Sequence, residues 1–153
     1  MIRFKNEPIF WPEDEGKIKV MLDRDAKMPT RAHEADAGYD LYARSAGIVP
    51  GHSCFKFDTG VHIEIPAGYV GFLKSKSGLN VNLGIVSEGV IDSGYTGSIV
   101  VKLYNHHSKD VFIEAGQKIS QLVILPIITP ELVEVPILEE TERGSNGFGS
   151  TGR

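Results

Sequence analysis

The chemistry of this chain gathers where glycines surround a carboxylate and a phenol, in Glu88-Gly89-Val90-Ile91-Asp92-Ser93-Gly94-Tyr95-Thr96-Gly97. β-Branched residues lead into and out of this stretch. A hairpin is therefore expected, with Asp92 at a strand end and backbone N–H and C=O groups exposed beyond it. A carboxylate so placed can take a proton from water. The same residue types also make an ordinary β-turn, in which Asp, Ser and Gly are frequent.

Three more clusters have this double character. In Ala37-Gly38-Tyr39-Asp40-Leu41-Tyr42-Ala43, Asp40 falls inside an apolar, strand-like run. Burying a carboxylate there is costly without a partner, unless it is an edge-strand Asp bonding a nearby turn. Leu73-Lys74-Ser75-Lys76-Ser77-Gly78-Leu79 follows a strand with the inventory of a phosphate-binding loop, although lysine–serine loops are also common on surfaces. It is not a Walker loop, because the GxxxxGK spacing is missing and no helix is expected after it. Gly116-Gln117 turns into a strand in which Gln121 is polar among apolar neighbours, and a buried amide needs cross-strand or ligand partners.

The tail, Arg143-Gly144-Ser145-Asn146-Gly147-Phe148-Gly149-Ser150-Thr151-Gly152, has no apolar periodicity and nothing to bury. Alone it is expected to be mobile in water. Its inventory suits a nucleotide: Arg143 for phosphate oxygens, Phe148 for a base, backbone N–H groups for anions. It reads either as a lid that orders over a ligand or as a solvated glycine-rich terminus.

The elements that must position these residues are strands. Ile18, Val20 and Leu22 alternate with Lys17, Lys19 and Met21, and Val61, Ile63 and Ile65 alternate with His62 and Glu64. Further strands are expected at 69–74, 99–104, 111–114 and 119–125, separated by turn signals at Pro50-Gly51, Pro66-Ala67-Gly68, 105–110 and Ala115-Gly116. No amphipathic helix stands out, and the one helix-tolerant stretch, 139–143, is too short. Many short strands at roughly ten-residue spacing argue for an all-β sandwich or barrel. Pro126, Pro130 and Pro136 make the last forty residues an extended strand leading to an arm.

The chain's 153 residues fit one domain, read as an N-terminal extension 1–16, a β domain 17–142 and a C-terminal arm 143–153. A net charge of −4 argues against a broad basic face for nucleic acid, while leaving room for local cations around a small anionic ligand. Cys54 is the only cysteine, which excludes an internal disulfide and a multi-cysteine zinc site. No run reaches membrane-span length and the first eleven residues lack a signal-peptide core, so the cytoplasm is the expected compartment.

In order, AGYDLYA, KSKSGL, GVIDSGYTG, GQKISQLV and RGSNGFGSTG resemble the five motifs of the trimeric dUTP pyrophosphatases (dUTPases), over about residues 37–152. The resemblance implies a jelly-roll-like β fold and a homotrimer with active sites at subunit interfaces. It also implies hydrolysis of dUTP to dUMP and pyrophosphate, with Mg²⁺ chelated by the triphosphate. On this sequence Asp92 would prime the water that attacks the α-phosphorus, and Tyr95 would pack on the deoxyribose and leave no space for a 2′-OH. Backbone groups around Gly89, Val90 and Ile91 would read uracil. Lys76, Ser77 and Gly78 match the phosphate loop, and Gln121 a further phosphate contact. Asp40 would act on the metal's water shell or support the site. Arg143 and the segment Gly147, Phe148, Gly149, Ser150 and Thr151 would close over the substrate, with Phe148 covering the base.

Two departures stand out. The family loop commonly reads Pro-Arg-Ser-Gly, where this chain has Ser75-Lys76-Ser77-Gly78; lysine keeps the charge and loses the planar fork. Bacterial relatives often carry asparagine six residues before the catalytic aspartate, where this chain has Val86, leaving the base contacts of residues 86–88 open. A rival in the same fold, dCTP deaminase, would place a glutamate on the strand after the hairpin, but 98–104 holds no acid. A second rival is a non-catalytic binding protein on this scaffold, for which the N-terminal extension is the sole candidate surface.

Overall fold

The computed structural model describes residues 16–145. Its strands are β1 Val20–Leu22, β2 Gly38–Tyr42, β3 Gly47–Val49, β4 Cys54–Asp58, β5 Val61–Ile63, β6 Tyr69–Ser75, β7 Ile85–Ile91, β8 Val100–Asn105, β9 Val111–Ile113 and β10 Lys118–Pro126. A helix, α1 Ser77–Leu83, lies between β6 and β7. Six strands form one sheet in the order β2-β10-β6-β7-β8-β4, while β1 pairs with β5 and β3 with β9. All pairings are antiparallel. The fold is all-β and jelly-roll-like, as the motif resemblance implies.

The period-two pattern decides which face of each strand is dry. In β8, Val101, Leu103 and Asn105 are buried while Val100 and Tyr104 are exposed. The core joins Leu41, Phe57, Val61, Leu73, Ile85 and Leu122 with residues of β8 and β9. Each such side chain contributes about 1.5–3 kcal/mol by leaving water.

One irregularity shapes the site. β7 pairs with β8 only from Ile85 to Ser87, and with β6 from Glu88 to Ile91. The two partners are taken in succession, so β7 and β8 splay apart after Ser87. The edge of 88–91 that would face β8 is left without a ladder partner.

The expected absence of a helix after the lysine–serine loop is corrected by α1. Its sequence, SGLNVNL, buries only Leu79, so there is no apolar stripe for a periodicity reading to find. Lys76 stands at its N-cap without a side-chain cap bond. Gly84 ends it in the left-handed region (φ 58°), with its N–H on the carbonyls of Asn80 and Leu79. A Cβ on Gly84 would strike the His107 ring, so glycine is required there on two counts. β3 and β4 also escape the sequence reading; β3 is three residues long and β4 buries only Phe57. The stretch 139–143 is exposed and not helical, and after β10 the residues 127–140 run exposed without a strand.

Candidate functional site

Asp92 follows the last residue of β7, where the loop 92–99 begins. The Tyr95 N–H donates to the Asp92 carbonyl at 3.2 Å, closing a turn with Gly94 at φ 83°. The Tyr95 hydroxyl donates to the Ser98 carbonyl at 3.0 Å. Its ring lies over Gly97, where a Cβ would collide with the phenol. Val90, Ile91, Asp92, Tyr95, Ser98 and Val100 line one open cavity of about 230 Å³, at the splay between β7 and β8. Asp92 is exposed. The hairpin expected from the sequence therefore places a carboxylate, a phenol and an unladdered backbone edge around one space. Gly89 stands opposite Leu73 in β6, and a Cβ there would press on the Leu73 side chain.

The other predicted residues gather elsewhere. Asp40 on β2 is 4% exposed. Its Oδ1 accepts from Lys76 Nζ at 2.5 Å and its Oδ2 from Lys118 Nζ at 2.7 Å. Burial pushes the Asp40 carboxyl up, but the hydrogen bonds and charges of Lys118 and Lys76 outweigh it and hold it below its ordinary value of 3.8. The same contact raises the Lys118 ammonium above its ordinary value. Gln121 on β10 sits opposite Asp40 and Lys74, donates from Nε2 to the Ser75 carbonyl at 3.0 Å, and packs against Gly38 so closely that a Cβ there would overlap it. Lys76 is thus tied to Asp40 across the sheet. Lys74, the other lysine of that cluster, points away to Glu88 at 3.0 Å.

Three serines outside the predicted site set, Ser75, Ser87 and Ser120, hold the lysine–serine loop in place. Ser87 and Ser120 hydroxyls meet at 2.8 Å inside the sheet, Ser120 also donates to the Lys74 carbonyl, and Ser75 Oγ bridges to the Ser87 backbone. For Ser87 and Ser120 the signal available was their place at dry positions of strands, where a hydroxyl must find partners. Ser77 and Gly78 follow Lys76 in the first turn of α1.

The two clusters lie at opposite ends of one ladder. Ile91 is opposite Gly71, whereas Lys76 lies just beyond the other end of β6. At about 3.3 Å per residue that puts Asp92 and Lys76 some 15–20 Å apart within one chain. A larger, mainly apolar cavity of about 410 Å³, bounded by Ile18, Met28, Tyr39, Ile63 and Ile124, contains none of the predicted site residues. Arg143 is exposed. Gly147, Phe148, Gly149, Ser150 and Thr151 lie outside the described residues.

The dUTPase family model matches residues 24–152. The chain belongs to the dUTPase family. The deoxyuridine 5'-triphosphate nucleotidohydrolase of Kluyveromyces lactis is 41% identical over 141 residues, covering 90% of this chain and 95% of that protein. Its counterpart in Clostridium tetani is 42% identical over 141 residues, covering 90% and 96%. Among solved structures, the dUTPase of Staphylococcus bacteriophage 80alpha with dUPNHPP superposes with a TM-score of 0.83 at 34% identity, covering 90% of this chain and 99% of that one. A single-site variant of the dUTPase of phage phi11 of S. aureus, described with a structural Mg(II) ion, superposes with a TM-score of 0.74 at 31% identity, covering 81% and 99%.

Proposed function

We propose that this dUTPase-family enzyme hydrolyses dUTP to dUMP and pyrophosphate, with Asp92 as the base that primes water. The water oxygen bonds the α-phosphorus, the bond from that phosphorus to the oxygen bridging to the β-phosphorus breaks, and pyrophosphate leaves with the bond's electron pair. Asp92 takes the proton. The observation that carries this reading is the cavity in which Asp92, Tyr95 and the free backbone edge of 88–91 converge. That edge offers N–H and C=O groups to the uracil rim, and the Tyr95 ring offers a flat wall for a sugar without a 2′-OH.

The phosphates would meet the first turn of α1, with Lys76 held by Asp40 and Gln121 held by Ser75. Since these groups stand about 15–20 Å from Asp92 in one chain, the reading needs the Asp92 cavity of one protomer beside the Lys76 loop of another. The exposed apolar segment after β10, with Leu132 92% and Ile128, Ile137 and Leu138 at least 80% exposed, supports an assembly that covers it. A homotrimer with shared sites joins these observations, and Arg143 with the residues after it would close each site.

The donor set fits Mg²⁺ as an ion carried by the triphosphate rather than caged by protein. Among the described residues no three His, Cys, Asp or Glu side chains cluster to hold a metal, and both Asp40 oxygens are already on lysines. Bound to the triphosphate, the ion neutralises phosphate charge. Asp40 therefore serves as support for Lys76. Pyrophosphate release measured side by side with dUTP, dTTP, UTP and dCTP tests the proposal. Strong preference for dUTP is expected; equal release from all four, or ammonia from dCTP, rejects it.

A further inference from the structure

The loop 92–99 is held at its entrance by β7 and at its exit by the β4–β5 corner. There the Ser98 hydroxyl donates to Asp58 Oδ1 and the Ile99 N–H donates to the Val61 carbonyl at 2.8 Å. Its middle, next to Tyr95, is held from outside by one ring. His62 on β5, with 18% of its side chain exposed, places Nδ1 2.8 Å from the Thr96 carbonyl. A carbonyl only accepts, so Nδ1 must carry the hydrogen. The other nitrogen, Nε2, is 3.3 Å from Asp23 Oδ1. Asp23 is itself fixed by Arg44 Nη1 at 3.0 Å and by its own N–H on the Gly60 carbonyl at 2.8 Å. Arg44 also reaches Asp58, at 3.8 Å, so both holds on the loop lead back to one guanidinium.

We propose that His62 is a positioning residue for the nucleotide cavity: through Thr96 it sets where the Tyr95 ring stands, and thereby how strictly the site refuses a ribose. His62 lines none of the cavity and touches no reacting group. It acts on specificity, through a carbonyl one residue after Tyr95. Losing this hold lets the middle of the loop breathe while Asp92, fixed by the end of β7, stays in place. The expected signature is selective: discrimination falls while turnover of dUTP is largely kept.

The inference rests on the proposed role of Tyr95 at the sugar, and the test separates the two. In the full-length enzyme His62 is replaced by Asn, Gln and Ala. The Asn amide nitrogen occupies the place of Nδ1 and can still donate to Thr96; the Gln amide nitrogen occupies the place of Nε2 and reaches only Asp23. His62→Ala and His62→Gln should lower the ratio of kcat/KM for dUTP over UTP about five- to tenfold, the usual yield of one lost hydrogen bond. Most of the change should lie in the KM values. His62→Asn should stay within about twofold of the native ratio. Hydrogen exchange of the 92–99 amides, read without nucleotide, should quicken in the Ala and Gln variants and not in the Asn variant. Equal loss of the ratio in Asn and Gln, or native exchange in His62→Ala, overturns the assignment of His62. A Tyr95→Ala enzyme that still refuses UTP as the native one does, alongside quickened exchange in His62→Ala, shows instead that the sugar reading of Tyr95 has failed and withdraws the specificity claim with it.

Discussion

Replacing Asp40 by Asn is the most informative single change, because one buried carboxylate holds both Lys76, at the N-cap of α1, and Lys118, at the start of β10. The substitution keeps volume and shape, so no cavity cost enters. What it removes is the charge that accepts from Lys76 at 2.5 Å and Lys118 at 2.7 Å. Removing one member of a fully buried pair costs about 3–5 kcal/mol, and an exposed pair is worth about 0–1 kcal/mol. Asp40 is 4% exposed, whereas the Lys76 side chain is 26% and the Lys118 side chain 45% exposed. The lysines can turn partly to water once released, which places the loss between these limits at about 2 kcal/mol. For a domain of this size that lowers Tm by about 4–8 °C. Thermal unfolding of both proteins at equal protomer concentration near neutral pH measures it.

The pH dependence gives a second reading of the same change. The Asp40 carboxyl is held below its ordinary value of 3.8, so its contribution is fully present above that value. It is lost as pH falls through the lower value of the folded protein. The Tm difference between native and Asn forms should therefore be flat from roughly pH 5 to 8 and shrink in acid below about pH 3.8. At the alkaline end the raised Lys118 keeps its share until pH climbs through its folded value, above 10.5. A difference under about 1 °C at neutral pH, or one unchanged in acid, would show that the Asp40 charge is not what secures this cluster.

Asp92→Asn should lower kcat by about two to four orders of magnitude while binding of a non-cleavable dUTP analogue, measured by calorimetry, stays near native; retained turnover rejects its role as base. Mixing subunits tests the shared site. Asp92→Asn and Lys76→Ala proteins, each inactive or nearly so, should regain about a quarter of native activity when co-refolded, since random assembly puts one intact half of each kind at that share of interfaces. No recovery would mean that each chain completes its own site. Leu103→Ala, at a position 0% exposed, should cost about 2–5 kcal/mol in urea unfolding, and a loss under about 1 kcal/mol would mean that β8 is not central to the core. Ending the chain before Arg143 should leave the assembly intact by light scattering and cut turnover severely; full activity would remove the arm from the mechanism.

Local residue types already determined much of this protein. Alternation such as Val61-His62-Ile63 announces a half-wet strand, because side chains of a strand point to opposite faces whatever it pairs with. The glycines around Asp92 and Tyr95 announce a turn between strands, and the motif order carries the family. All of these are short-range statements, and short-range geometry governs them. What only the tertiary structure decided are pairings between distant positions. Nothing near Asp40 says that it will meet Lys76, thirty-six residues on, or Lys118 beyond that. Those contacts exist because β2 and β6 flank β10 in one register, which depends on every strand of the sheet at once. The helix after Lys76, with one buried side chain, had no period to show, and the splay of β7 from β8 is a change of partner within a single strand. The single turn read at Asp92 thus became a cavity only when the sheet forced its two flanking strands apart.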